Sequence, residues 1–210
     1  MINSYERVNV DLMVKNTKDE QIVLHRVPAI KTTTGKILFD PNEVVKAQNN
    51  GIASDLEIKP REIPLFLLFY APAGQFQRGY LYNKYKLNKM LFYQWKELER
   101  KGLGHSFDTY NFVADKKGPV PVELKDDLIE LKEKGLIELS GGKDEHKMLQ
   151  AKLTDRGEIV AEKLWSQIPK PYKETSVDVK TQLFPLDPRT IMEKVHKEYP
   201  EYRFSEIDEE

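Results

Sequence analysis

The chain has 210 residues, enough for one main domain plus an appendage and short for two full domains. Hydrophobic residues make up 40% and charged residues 32%, a globular composition that excludes a disordered or fibrous chain. With no cysteine, disulfides, thiolate metal sites and a cysteine nucleophile are excluded, and a net charge of -1 excludes a bulk polycation.

The first forty residues carry strand signals. Tyr5–Val14 alternates Val8, Val10 and Leu12 on one face. Residues 21–27 place Ile22 and Leu24 on one face and Val23 on the other, and residues 36–39 follow the turn at Thr33–Gly35. Period-2 alternation broken by turn residues predicts an antiparallel ribbon or small sheet. Asp40 and Pro41 then open a short helix as N-cap and first helical residue. The polar run Gln48–Ser54 is expected to end it and to mark a domain boundary near residue 55.

From Pro60 the pattern is helical. Pro60–Ala71 is apolar nearly all round, as in a buried core helix. A loop through Gly74 and Gly79 leads to the strongest helix, Tyr82 to Lys101, with Leu87, Leu91, Trp95 and Leu98 at spacings of three and four and Gly102 as its stop. Its other faces are basic. Phe107–Val113 is an apolar connector, Lys116–Pro119 a turn, and Pro121 opens a helix over 122–134 with Leu124, Leu128 and Leu131 inward. Residues 136–139 and 148–153 predict two strands around the turn Gly141–Glu145. Thr154 or Asp155 caps a helix to about Trp165, with Asp155 and Glu158 at capping-box spacing. Pro169–Thr175 has linker composition, and Asp187–Pro188 starts a helix over 189–199 with Ile191 and Val195 inward. Ser205–Glu210 is an acidic tail.

Three helices, a strand, a turn, a strand and a helix follow the winged-helix order, with the two strands as the wing and 122–134 in the recognition position. The expected fold is therefore α+β, with an N-terminal β-ribbon (1–55), a winged-helix core (56–168), and a linker with a short C-terminal helical appendage (169–210).

Several motifs resemble a known family. The run Leu87–Tyr93 is similar to the "KLxKLLYY" helix of the Panacea (SocA-like antitoxin) proteins and of the related YwgA-like proteins of archaea and bacteria. Phe112–Val120 resembles their aromatic segment ending in Gly-Pro-Val, Val122–Ile137 their "xELxxDLxxLxxxGLI", and Met192–Ser205 the YwgA-like "VYxxYPEYxxxS". The resemblance implies a helical, winged-helix-like core. It brings no catalytic residues, and the proteins it points to include toxin-neutralising antitoxins.

No enzymatic signature appears. The four histidines, His25, His105, His146 and His196, form no pair at i,i+3 or i,i+4. There is no Gly-rich phosphate loop and no nucleophile motif. Neither metal nor cofactor is expected. Asp126 and Asp127 point about 100° apart on a helix and read as a solvated face. Ten aromatic residues between Phe66 and Trp95 read first as core, and second as a groove for a base or an apolar peptide.

Nucleic-acid contacts would have to come from lysines outside the recognition position, because Glu123, Asp126, Asp127, Glu130 and Glu133 there repel phosphates. The candidates are Arg78, Lys84, Lys86, Lys89 and Lys96 around the basic helix, Lys116 and Lys117 in the turn, and Lys143, Lys147 and Lys152 on the wing. Two functions follow: a DNA-binding regulator acting through phosphates, or a non-enzymatic protein-interaction module of antitoxin or adaptor type. No positively charged n-region precedes an apolar run at the start, and the longest apolar stretch, Ile63 to Pro72, is about half of the roughly 20 residues a bilayer span needs. A cytoplasmic protein without a membrane partner is expected. An exposed edge of the ribbon could pair with a second copy to give a homodimer.

Overall fold

A computed structural model describes residues 6–15, 21–73, 79–104, 108–141 and 150–203. The fold is mixed α+β. Strands β1 (Glu6–Lys15), β2 (Gln21–Lys31) and β3 (Ile37–Phe39) form an antiparallel sheet in that order. Val8, Val10 and Leu12 are half-buried while Arg7, Asn9, Asp11 and Met13 are exposed, as the alternation predicts. The register Val10↔Val27 slips to Leu12↔Leu24 across a bulge, and Leu24, Val27 and Ala29 are buried. The sheet packs on α1 (Pro41–Asp55).

Helix α1 is longer than its sequence suggests. Gln48–Ser54 is helical, not a boundary, because Ile52 and Ala53 join the main core. The stop comes at Glu57, whose φ of 57° lets the Ile58 N–H reach back to the Ala53 carbonyl. A 3₁₀ turn at Pro60–Glu62 leads into α2 (Ile63–Tyr70), in which every residue from Ile63 to Phe69 is buried. Apolar on all sides, it is the central helix, with α3, α5 and α6 around it.

Strand β4 (Tyr80–Tyr82) precedes α3 (Lys84–Arg100), which is capped by the Asn83 side chain accepting from Tyr85 N–H. A two-stranded hairpin, β5 (Phe112–Val113) with β6 (Val120–Pro121), precedes α4 (Leu124–Glu133). Strands β7 (Ile137–Ser140) and β8 (Gln150–Leu153) pair antiparallel, and β4 pairs on the other edge of β8, so the second sheet runs β4-β8-β7. Helix α5 (Asp155–Gln167) starts at Thr154, whose hydroxyl accepts from Gly157 N–H and donates to the Gly135 carbonyl.

The expected linker is a helix. Lys170–Leu183 forms α6, with Tyr172, Ser176, Val179 and Leu183 buried at spacings of three and four. Pro169 and Pro171 sit at its N-cap and first turn, where a missing N–H costs nothing. Helix α7 (Pro188–Glu198) is capped by Asp187 and buries Ile191 and Val195 completely. Both helices pack on α3, so the C-terminal segment belongs to the core and is no appendage. One hydrophobic cluster runs from Ile52 to Val195.

Candidate functional site

The structure separates the predicted phosphate-binding residues by burial. Lys89 is fully buried, and its Nζ donates to the Pro119 carbonyl at 2.7 Å. It has no surface to offer a phosphate, so it leaves the set. Lys86 is half-buried and donates to the Phe184 carbonyl at 2.9 Å. Lys96 lies 4.1 Å from the Trp95 ring centroid and pairs with Glu99 at 3.1 Å. These three face inward because α6, α7 and the Pro200–Tyr202 turn cover the side of α3 that the sequence leaves basic. Lys84, Lys116 and Lys117 are exposed, and the Tyr85 hydroxyl donating to the Lys117 carbonyl at 2.9 Å brings the start of α3 next to their turn. Lys152 is half-buried on β8. Arg78, Lys143 and Lys147 lie outside the described residues, as do the wing turn after Gly141, His105, His146 and the acidic tail.

Lys89 ties the Leu87–Tyr93 segment to the turn at Gly118–Val120. Gly118 turns at φ 83°, which favours glycine, and packs against Lys89 and His196, where an added Cβ would make ordinary contact at 3.5 Å. Tyr85 and Lys89 thus clamp the turn from one side, by hydrogen bonds to Lys117 O and Pro119 O, and α7 closes it from the other. Burial lowers the Lys89 ammonium to about 8, with Asp115 acting in the opposite direction. The same burial pushes the Tyr85 phenol up to about 12. His196 is held below its ordinary value by burial and by the cations Arg203 and Lys89.

The carboxylates of α4 divide into two groups. Asp127 is fully buried, not solvated as its sequence position suggests. It accepts from Arg61 Nε and Nη2, both at 2.8 Å, and from Lys59 Nζ at 2.7 Å. Burial alone would raise its pKa, but the hydrogen bonds from Arg61 and Lys59 outweigh that and hold it below the usual carboxylate range. Glu130 accepts from Lys59 and pairs with Lys134 at 2.8 Å, and Glu123 accepts from Asn111. Positions 123, 127 and 130 share one helix face at i,i+4,i+7, a spacing readable in the sequence; the cations of the Lys59–Arg61 turn that meet Asp127 and Glu130 were not.

The outer face of α4 is different. Lys125, Asp126, Lys132 and Glu133 are exposed and have no partner among the described residues. Ile129, 44% exposed, lies between them, and Val122 and Val113 are 55% and 49% exposed beside the helix start. This face has no net charge.

The aromatic cluster is core where it is described. Phe66, Phe69, Phe92 and Tyr93 are buried. Phe92 meets Phe112, Tyr199 and Tyr202 edge-on at 5.4, 5.0 and 4.7 Å between centroids, and Trp95 stacks on Phe112. Phe76 lies outside the described residues. A polar cleft of about 160 Å³ opens between α3, α6 and α7. Its ionisable groups pair among themselves: Arg100 with Glu97, Lys194 with Glu198, and Lys101 with Asp178. Among the described residues no group of three His, Asp or Glu side chains could hold a metal ion, and no helix is long and apolar enough to cross a membrane.

No protein-family model matches the chain, and no curated protein sequence and no solved structure matches it significantly.

Proposed function

We propose that the protein is a non-enzymatic protein-interaction module built on a winged-helix arrangement, with α4 as its docking helix. The scaffold reading rests on topology. Helix α2, strand β4, helices α3 and α4, and the β7–β8 pair follow the winged-helix order, with β4 added to the far edge of β8. The observation that carries the function is the division of α4. Its inner carboxylates hold the helix to the body of the molecule, while its outer face presents Ile129 among balanced charges. A helix that reads DNA presents cations and amides to base edges and phosphates. This one presents an aliphatic centre with both signs of charge, the composition of a protein-docking surface. The likeness of Leu87–Tyr93 and Val122–Ile137 to antitoxin motifs accords with it.

One observation favours the second reading, phosphate binding. Lys84, Lys116 and Lys117 converge through the Tyr85–Lys117 hydrogen bond. Titration of labelled mixed-sequence duplex DNA across salt concentrations decides between the two. The docking reading expects no binding at low salt. Binding that falls steeply with salt and disappears in Lys116→Glu/Lys117→Glu would overturn it in favour of a DNA-binding regulator.

A further inference from the structure

We infer that the occupant of the outer α4 face is a second copy of this chain, paired about a twofold axis that runs along the helix. The inference rests on the docking reading of α4 and names its partner. The argument comes from how charge is arranged across the face. At about 100° per residue, Lys125 and Lys132 fall roughly 40° and 60° to one side of Ile129, and Glu133 and Asp126 fall the same angles to the other side. The face therefore has a lysine edge, an aliphatic ridge and a carboxylate edge. All four charged side chains are exposed and have no partner among the described residues, whereas the other acidic residues of α4 are paired within the chain.

Symmetry then selects the orientation. A twofold axis perpendicular to the helices would set them antiparallel and bring lysine edge against lysine edge. A twofold axis along the helices sets them parallel, so each lysine edge meets the other copy's carboxylate edge and the two Ile129 side chains meet at the centre. A twofold interface must be self-complementary, and only the parallel arrangement makes this face so. Val122 and Val113, exposed at the helix start, extend the apolar ridge toward the β5–β6 hairpin.

The size of the face sets the strength. A helix of 10 residues spans about 15 Å and covers less than the roughly 800 Å² per partner of a standard stable interface. The pair is a weak dimer, with a dissociation constant on the order of 10 to 100 µM.

Sedimentation velocity of the full chain from about 5 to 500 µM tests it. The wild type is expected to pass from monomer to dimer. Lys125→Glu/Lys132→Glu and Asp126→Lys/Glu133→Lys are each expected to stay monomeric. An equimolar mixture of the two is expected to form a heterodimer, and the fourfold swap is expected to regain a homodimer. As the chain has no cysteine, Val122→Cys provides a second readout. Parallel pairing brings the two 122 positions together, so oxidation yields a cross-linked dimer; antiparallel pairing holds them apart. A wild type that stays monomeric throughout, or a dimer that both double variants retain, overturns the inference. A monomer leaves the docking reading standing with a partner of another sequence, while salt-sensitive DNA binding through Lys116 and Lys117 removes the reading itself.

Discussion

Lys89 shows how far a residue's type can mislead about its place. Its four methylenes and ammonium are fully enclosed, and the Pro119 carbonyl is its hydrogen-bond acceptor. Because burial lowers its folded pKa to about 8, the unfolded chain binds the extra proton between about pH 8 and the ordinary lysine value near 10.4. Stability should therefore rise with pH across that window and level off below about pH 8, where both states bind the proton. Urea midpoints at both ends, for wild type and Lys89→Met, check it: the methionine variant should lose this part of the pH dependence. For Asp127 the slope has the same sign, but there it is the charged form that the fold favours. Its pKa is held below the ordinary carboxylate value, so its contribution is complete above about pH 4 and is lost as pH falls through the lower folded value. Asp127→Ala should cost about 3 kcal/mol in urea denaturation, near the low end for a buried pair, because Lys59 and Arg61 keep partial access to water.

At the scale of elements, two contacts hold helices in place through backbone carbonyls. Gly157, in the first turn of α5, lies against the Leu136 carbonyl, and a Cβ there would fall 1.9 Å from that oxygen. Leu136 O also accepts from Thr154 N–H, so the carbonyl cannot retreat without breaking the start of α5. Gly157→Ala should destabilise by at least about 2 kcal/mol, although alanine is the better helix former in a neutral site. The thermal midpoint measures it. Lys180 on α6 donates to the carbonyls of Phe69 and Ala71 at 3.0 and 2.9 Å, placing a cation at the C-terminal end of α2, where the helix dipole favours it. Lys180→Met removes both hydrogen bonds; the Phe69 carbonyl keeps the Gly79 N–H, so the loss falls mainly on the Ala71 carbonyl, at a cost of about 1 to 3 kcal/mol. Faster amide exchange at the end of α2 would identify the site of the loss.

At the scale of the whole molecule, near-neutrality conceals a division of charge. Many of the lysines that gave α3 its basic look are used internally, by Phe184 O, Pro119 O and the Trp95 ring. Among the described residues, few exposed lysines remain near the start of α3. The surface of α4 has the opposite history: residues that carry an acidic excess in sequence leave a balanced outer face once the inner carboxylates have met Lys59, Arg61 and Asn111.

What the sequence by itself determined follows from local physics. Alternation in residues 6–13, the all-apolar run of α2, the leucine spacing of α3 and α4, and the Asp187 cap are effects of neighbours along the chain, and each element appears within a few residues of its expected place. Tertiary structure decided the rest. Gln48–Ser54 and Lys170–Thr175 are helical because distant partners bury Ile52, Ala53, Tyr172 and Thr175, which outweighs their loop-like composition. The same holds for the candidate surface. Whether Lys89, Asp127 or Lys180 meets water depends on residues 30 to 111 positions away, in the contacts Lys89–Pro119, Arg61–Asp127 and Lys180–Phe69. Charge is written residue by residue, but the free energy of a charge depends on its solvent and its partner, and only the packed chain assigns those.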